Sequence, residues 1–262
     1  MDQPILLRHD TGAIATLTLN APDSFNALSD AMLATLAEQI ESLAADRAIK
    51  VVVLKAVGRA FCAGHDLKEM QAGRAAPDAG AAYFQSLFAR CGAVMMGLQS
   101  LPQPVIAQVH AIATAAGCQL VASCDLVVAA SGVRFGVNGV NIGLFCSTPM
   151  VALSRKVPPA VAFEMLTTGE FILAERAHEV GLVNRVVAPE ALEAETRALA
   201  ETIAGKLGAA VRIGKRAFYE QLELDTAAAY AHAGAVMVEN MLFRDTNEGI
   251  SAFLQKRKPD WA

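Results

Sequence analysis

Two short loops built of small residues are the parts of the sequence best suited to chemistry. The first is AFCAGHDL, residues 60–67, and the second is TAAGC, residues 114–118. Residues without bulky side chains leave backbone N–H groups open to a bound oxygen, and such groups stabilise negative charge developing on a carbonyl. The alternative for the first loop is a tight turn that uses Gly64 only for its backbone freedom.

The second loop offers a matching donor. Ala115, Ala116 and Gly117 lie at the start of a predicted short helix around residues 117–123. Their N–H groups would therefore lie at the positive end of a helix dipole, where anions bind. Each loop could supply one N–H group to the same oxygen.

The segments around these loops indicate an α/β fold. Strands, helices and further strands alternate through roughly the first 190 residues, and Ser29 is predicted to cap a helix with apolar residues at helical spacing. Ligands in open α/β sheets bind where strands open into loops at their carboxyl ends, and the first loop is such a place. The predicted strands are AIATLTLN (13–20), KVVVLKAV (50–57), PVIAQVHAIA (104–113), DLVVAA (125–130) and GLVNRVV (181–187).

The C-terminal part has a different pattern. Beyond Pro189 only helical periodicity is present, broken at Gly208 and by a turn near Asp225 and Thr226. We therefore predict a ligand-binding core over residues 1–190 and a helical subdomain over residues 191–262. Because no Ser/Gly linker separates them, the two regions are expected to pack together.

Composition excludes several classes of function. The 262 residues carry a net charge of −4, which gives no general attraction to nucleic acid or to anionic lipid. No apolar run is long enough for a membrane span, and the five cysteines show no metal-binding spacing, so we expect reduced thiols and no metal. The N-terminus, MDQPILLRHD, lacks the pattern of a signal peptide, which predicts a cytoplasmic protein.

Several motifs occur along nearly the whole chain. They are FCAGHDLKEM (61–70), AGCQL (116–120), Cys124-Asp125, Phe135-Gly136, Gly143, LTTGE (166–170), A-x-x-x-G-L-V (177–183) and EGISAFLQKRKP (248–259). Together these motifs resemble the enoyl-CoA hydratase/isomerase family, also called the crotonase superfamily. The segment GLFCSTP (143–149) is similar to a group called enoyl-CoA hydratase domain-containing proteins.

The resemblance implies a spiral of ββα units with a C-terminal helical region that forms trimers, commonly dimers of trimers. It also implies a lyase or isomerase of fatty acid metabolism whose ligand is an acyl-CoA thioester, with coenzyme A part of the substrate and no separate cofactor. By family position, the N–H groups of Ala63 and Ala116 hold the thioester carbonyl, although Ala116 replaces a usual glycine. The residues that the resemblance assigns to coenzyme A are Asn26, Ala27, Leu28, Gly64, His65, Asp66, Phe253 and Lys256, the last two acting on the ligand of a neighbouring subunit.

The sequence departs from the family at the acid/base pair. Hydratases of this family use two glutamates, and their positions fall on Gln119 and Gly139, neither of which can accept a proton near pH 7. Because each acid/base group contributes roughly 10²–10⁴-fold, ordinary hydration of trans-2-enoyl-CoA is not expected. The alternatives are an enzyme with a replaced acid/base pair and an acyl-CoA binding protein with little or no turnover. In the related naphthoate synthases a bound bicarbonate replaces a missing carboxylate, and Gln119 could hold such an anion.

Other polar side chains leave their roles open. His65 could titrate near neutral pH, or it could point to solvent or to the phosphates of coenzyme A. We interpret Glu69 as a solvated or ion-paired residue and His110 as a packed, hydrogen-bonded core residue. The residues expected to shape the acyl site are Cys146, Ser147 and Thr148.

Overall fold

Ten strands form two β-sheets within residues 4–261, which are the residues that this computed structural model describes. In chain order the strands are β1 (Leu6–Thr11), β2 (Ile14–Leu19), β3 (Val51–Ala56), β4 (Ala60–Cys62), β5 (Val105–Val109), β6 (Ile112–Thr114), β7 (Leu126–Ala130), β8 (Arg134–Gly136), β9 (Ile172–Leu173) and β10 (Arg185–Val187). The larger sheet has the order β1-β2-β3-β5-β7-β10, and the smaller has the order β4-β6-β8-β9. Apart from the antiparallel edge pairs β1/β2 and β8/β9, neighbouring strands are parallel.

Most of the predicted strands are confirmed, but one of them divides. Segments 13–20, 50–57 and 125–130 contain β2, β3 and β7, and segment 181–187 ends in the shorter β10. The single strand predicted over 104–113 is wrong, because the chain leaves the larger sheet after β5 and enters the smaller one at β6. At this crossing His110 Nε2 forms a hydrogen bond with the carbonyl of Gly58, 2.8 Å away. The predicted hydrogen bonding of His110 is thus confirmed, but the residue is only partly buried and not in the core.

A repeated strand-strand-helix unit explains how the loops come together. The chain passes from the larger to the smaller sheet three times, at β3/β4, β5/β6 and β7/β8. Each passage is followed by a helical segment, so the units wind into a spiral, as the resemblance implies. Because β4, β6 and β8 are parallel neighbours, the loops after them emerge at one edge of the smaller sheet.

Eleven α-helices surround and complete the sheets in the described part of the chain. They are α1 (Asp30–Ala45), α2 (Leu67–Gly73), α3 (Ala81–Ser100), α4 (Ala116–Ser123), α5 (Pro149–Leu153), α6 (Pro159–Thr168), α7 (Ala174–Glu179), α8 (Leu192–Ala204), α9 (Gly208–Leu222), α10 (Thr226–Met241) and α11 (Arg244–Leu254). None of the helices within residues 4–261 is both long and apolar enough to cross a lipid bilayer.

The helix α4, which follows the second small-residue loop, is buried along its whole length. All eight of its residues are buried in the core that the two sheets share. The predicted cap of α1 is also confirmed, since Ser29 Oγ accepts a hydrogen bond from the amide of Met32. The Ser29 hydrogen bond fixes the start of α1, and burial holds α4 behind the second loop.

The helical prediction for the C-terminal region is confirmed by α8 to α11. α9 begins at Gly208, and Asp225 caps α10 by accepting a hydrogen bond from the amide of Ala228. α9 is fastened to the sheets by Lys215, whose Nζ donates to Asp125 at 2.7 Å and to the carbonyls of Leu98 and Gln103. The boundary between residues 190 and 191 remains a prediction.

Candidate active site

The loops that follow β4, β6 and β8 border one cavity of about 310 Å³. Larger surface grooves of about 540 and 680 Å³ lie elsewhere and are not lined by these loops. The cavity-lining residues are Ala63, His65, Leu67, Met70, Phe88, Thr114, Ala115, Ala116, Asn138, Gly139, Ile142, Leu144, Phe145, Cys146, Ser147, Thr148 and Pro149. Of the four predicted oxyanion and acid/base positions, Ala63, Ala116 and Gly139 are therefore at the cavity, and Gln119 is not among its lining residues.

The first loop presents a different donor from the predicted one. The N–H group of Ala63 donates to the carbonyl of Phe25 at 3.1 Å, so it is already paired. Gly64 has φ +93°, a left-handed conformation that favours glycine, and its carbonyl accepts from the amide of Leu28 at 2.7 Å. The next amide, that of His65, has no acceptor among the residues of the described chain. Ala63 is thus replaced by His65 as the open donor of this loop.

The second loop keeps the predicted donor. Ala116 is the first residue of α4, so its N–H group has no partner inside the helix and none in the preceding described segment. The residue before it, Ala115, has φ 50° and ψ −122°, a conformation that costs a residue with a side chain on the order of 1–3 kcal/mol. Sequence comparison with the family drew attention to Ala116, but the unusual backbone conformation is that of Ala115.

Gly117 lets the two loops approach each other. A β-carbon at this position would overlap the carbonyl of Cys62, so only glycine fits. The first turn of α4 therefore lies directly against the end of β4. This close approach explains why small residues recur in both loops.

Gln119 lies behind the cavity wall rather than in it. The residue is 4% exposed, and its Oε1 has no hydrogen-bond partner among the described residues. A helical side chain covers the turn on the N-terminal side of its own Cα, which here is the turn that begins at Ala116. An unpaired buried acceptor costs about 1–3 kcal/mol, so Gln119 places an unsatisfied polar group beside the turn that begins at Ala116.

Gly139 occupies a position that has no room for a side chain. It lies in a 3₁₀ turn, Asn138–Ile142, and its carbonyl accepts from the amide of Leu144 at 2.9 Å. A β-carbon there would overlap the carbonyl oxygen of Leu144 and lie 2.9 Å from Cys146 Sγ. The position that the resemblance assigns to the second glutamate therefore holds no carboxylate, and the backbone leaves no room for a side chain there.

The imidazole of His65 is a neutral part of the cavity wall. Its ring contacts the Phe88 ring edge to face at 5.7 Å between centroids, and neither ring nitrogen has a hydrogen-bond partner or measurable contact with solvent. Burial lowers the pKa of His65, although the nearby backbone of Leu28 and the charge of Asp30 oppose this effect. The side chain therefore carries no charge at neutral pH, and its nitrogens are shielded from the cavity.

Other polar groups at the cavity are also uncharged. Thr114 Oγ1 donates to Asn138 Oδ1 at 2.5 Å, which pairs the two side chains with each other. Burial raises the pKa of the Cys146 thiol, so it is not a thiolate at neutral pH. Ser147 and Thr148 line the wall with Cys146, as expected. Sequence reasoning missed the Thr114/Asn138 pair because it joins the end of β6 to the turn after β8, 24 residues further along the chain.

Several residues assigned to coenzyme A hold the loops instead. The buried side chain of Asn26 accepts from the amide of Ala21 and donates to the carbonyls of Val57 and Ala60. Asp66 caps α2 by accepting from the amides of Lys68 and Glu69. The side-chain amide of Asn26 is therefore engaged within the protein, and the contact of this turn with coenzyme A stays a prediction.

The other residues named from the sequence lie in different parts of the structure. Ala27 and Leu28 are buried behind Gly64, whereas Phe253 and Lys256 are exposed at the end of α11 and do not line the cavity. Glu69 is partly buried and accepts from the amide of Asp30 at 2.8 Å, so it caps α1 rather than forming an ion pair.

Comparison with known proteins agrees with the fold. The sequence model described as Enoyl-CoA hydratase/isomerase matches residues 9–262. Human enoyl-CoA hydratase domain-containing protein 3, mitochondrial, is 47% identical over 95% of this chain and 80% of its own length. The 2,3-dehydroadipyl-CoA hydratase of Escherichia coli is 34% identical over 95% of this chain and 94% of its own.

Solved structures give the same result. An enoyl-CoA hydratase of Mycobacterium smegmatis is 57% identical, with a TM-score of 0.95 and 99% of each chain covered. The human enoyl-CoA hydratase domain-containing protein 3 is 44% identical, with a TM-score of 0.93, over 98% of this chain and 100% of the other.

The cytoplasmic location predicted from the N-terminus is wrong by this comparison. The curated relatives from human, mouse, rat, zebrafish and frog, which are 44–47% identical, are mitochondrial proteins by name. The prediction failed because the lack of a secretory signal does not distinguish between compartments that such a signal does not serve. The matched family, the two mixed sheets and the C-terminal helices together establish that this chain belongs to the enoyl-CoA hydratase/isomerase family and has the crotonase fold.

Proposed function

We propose that this protein binds acyl-CoA thioesters, with the carbonyl oxygen accepting hydrogen bonds from the amides of His65 and Ala116. The observation that carries the proposal is that both amides are unpaired and both residues border the same cavity. The dipole of the buried helix α4 adds partial positive charge beside Ala116. Donors fixed in this way polarise a carbonyl without any rearrangement.

We further propose that turnover is low and that hydration by paired carboxylates does not occur. No carboxylate is among the described residues that line the cavity. The two family positions hold an amide, Gln119, and a glycine, Gly139, with no space for a side chain. His65 does not replace them as a base, because its ring nitrogens are closed off within the wall. Acyl-CoA binding with little turnover is thus better supported than an enzyme with a replaced pair.

The walls of the cavity favour an uncharged acyl group. Apart from the neutral His65 and the Cys146 thiol, the described lining contains no titratable side chain. The apolar lining residues are Leu67, Met70, Phe88, Ile142, Leu144 and Phe145. A free carboxylate at the far end of the acyl chain would lose its hydration there without meeting a cation. We therefore expect this chain to reject adipyl-type groups, unlike the E. coli relative, whose name specifies such a substrate.

We also propose a homotrimer or a dimer of trimers, formed through the C-terminal helices. α10 has no buried residue in the single chain, and large apolar side chains on α10 and α11 are exposed. Tyr230, Leu242 and Phe253 are 78%, 81% and 82% exposed, which is unusual for a monomer surface. In such an assembly Phe253 and Lys256 would reach a neighbouring subunit's ligand. Light scattering coupled to gel filtration tests the assembly, and a monomer would contradict it.

Two measurements on the same protein test the proposed function. Isothermal titration with crotonyl-CoA should show binding, and the hydration rate should lie at least about 10⁴-fold below that of a hydratase with both glutamates. Coenzyme A alone is the control for binding that does not involve the acyl group. Hydration at a rate typical of the family would contradict the loss of the acid/base pair, and absence of crotonyl-CoA binding would contradict the binding site itself.

A further inference from the structure

We propose that Ala115 is a positioning residue whose methyl group sets the separation between the two N–H donors. This inference rests on the proposed function, because the donors matter only if a thioester carbonyl binds between them. Ala115 lies one residue before Ala116, and Gly64 lies one residue before His65. A contact between Ala115 and Gly64 therefore joins the residues that directly precede the two donor residues.

The two loops meet at that contact. A β-carbon built on Gly64 would lie 3.0 Å from the Ala115 methyl and 3.2 Å from the Ala116 amide nitrogen. The methyl group consequently packs against the bare α-carbon of Gly64, with no space left between the loops. Gly64 has φ +93°, so its own conformation also excludes a side chain.

The backbone of Ala115 is held in a conformation that glycine would adopt at lower cost. Its φ of 50° is in the left-handed region, and two hydrogen bonds keep it there. Its amide donates to Gly136 at 2.9 Å, and its carbonyl accepts from Gln119 at 3.1 Å. Backbone strain that is retained at a binding site suggests a functional reason to keep the strained residue. For Ala115 that reason would be its methyl group, which holds the two loops a fixed distance apart.

The methyl group is not explained by core packing alone. Ala115 is only partly buried and borders the cavity, unlike Ala122 in the helix α4 that follows it, which is 1% exposed. Removing the methyl would let Gly64 and the start of α4 shift relative to each other. The two N–H groups would then no longer converge on one oxygen atom.

The test compares two ligands that differ only in the carbonyl oxygen. Butyryl-CoA is a thioester, and S-butyl-CoA is the matching thioether, so the ratio of their affinities reports the hydrogen bonds to the carbonyl. In the unmodified protein, isothermal titration should give at least about fivefold tighter binding of the thioester, since two hydrogen bonds are at stake.

Ala115→Gly should lower this ratio to about one while it leaves the thioether affinity within about twofold. Ala115→Ser, which keeps the β-carbon, should retain the ratio of the unmodified protein. Gly64→Ala, which adds a methyl to the same contact, should also lower it. Ala122→Gly removes a buried methyl from α4 away from the contact and is the control that should not change it.

The outcomes separate the two proposals. If the unmodified protein binds both ligands equally, the proposed carbonyl site is wrong. If it prefers the thioester and Ala115→Gly keeps that preference, the positioning role is overturned. Equal weakening of both ligands in Ala115→Gly would likewise overturn it, because that result would indicate only a structural role.

Discussion

The substitution Gly139→Ala is expected to destabilise the protein by about 2–4 kcal/mol. The added β-carbon would overlap the Leu144 carbonyl oxygen and lie 2.9 Å from Cys146 Sγ. Overpacking of this kind costs roughly 1–3 kcal/mol. Relief of the clash would move the residues around Leu144, which endangers the 2.9 Å hydrogen bond from its amide to Gly139 and adds about 1 kcal/mol.

Urea denaturation of Gly139→Ala and of the unmodified protein measures this loss. Gly92→Ala is the matched control, because a β-carbon on Gly92 would meet nothing within 4 Å in the helix α3. That control should gain about 0.5–1 kcal/mol from better helix propensity. A loss below about 0.5 kcal/mol for Gly139→Ala would refute the claim that the turn is closed to side chains. If the claim holds, a glutamate cannot be restored here without rebuilding the loop.

Four further predictions follow from the site and its supports. Gln119→Glu should raise crotonyl-CoA hydration by no more than about tenfold, since under the proposed function Gly139 still supplies no second acid/base group; a rate typical of the family would contradict this. Lys215→Met should lower the free energy of unfolding by about 3–5 kcal/mol in urea, because it leaves the partly buried carboxylate of Asp125 without its cation, and an unchanged midpoint would contradict it. The pKa of His65 is lowered from 6.5 in the folded state, so stability should fall as the pH drops below about 6.5, where the unfolded chain binds the proton first; His65→Gln should flatten this part of the profile, and an identical profile would count against it. Lys256→Ala should weaken coenzyme A binding about threefold at low salt in isothermal titration, and unchanged affinity would remove this residue from the site.

Sequence periodicity was sufficient for the long elements of this fold. The buried strand Val51–Ala56 and the capped helix Asp30–Ala45 have clear hydrophobic patterns. The smaller sheet was missed because its strands have two or three residues, too few for a pattern of alternation. The step between sheets at His110 was hidden for the same reason, since the apolar residues continue across it.

The two candidate loops could be picked out from sequence, but their hydrogen bonds could not. Small residues and family motifs placed both loops correctly at the cavity. Whether an amide N–H is free to bind a ligand depends on its hydrogen-bond partner in space. The Ala63 amide is not free, because it donates to the carbonyl of Phe25, which is far away in sequence. The strain at Ala115 and the absence of space at Gly139 likewise arise from neighbours that no local pattern reveals.

The most direct test of the account is a crystal structure with butyryl-CoA bound. The account predicts that the thioester oxygen lies about 2.7–3.2 Å from the amide nitrogens of both His65 and Ala116. A carbonyl oxygen bound elsewhere, or one held by the Ala63 amide after loss of its bond to Phe25, would contradict the account.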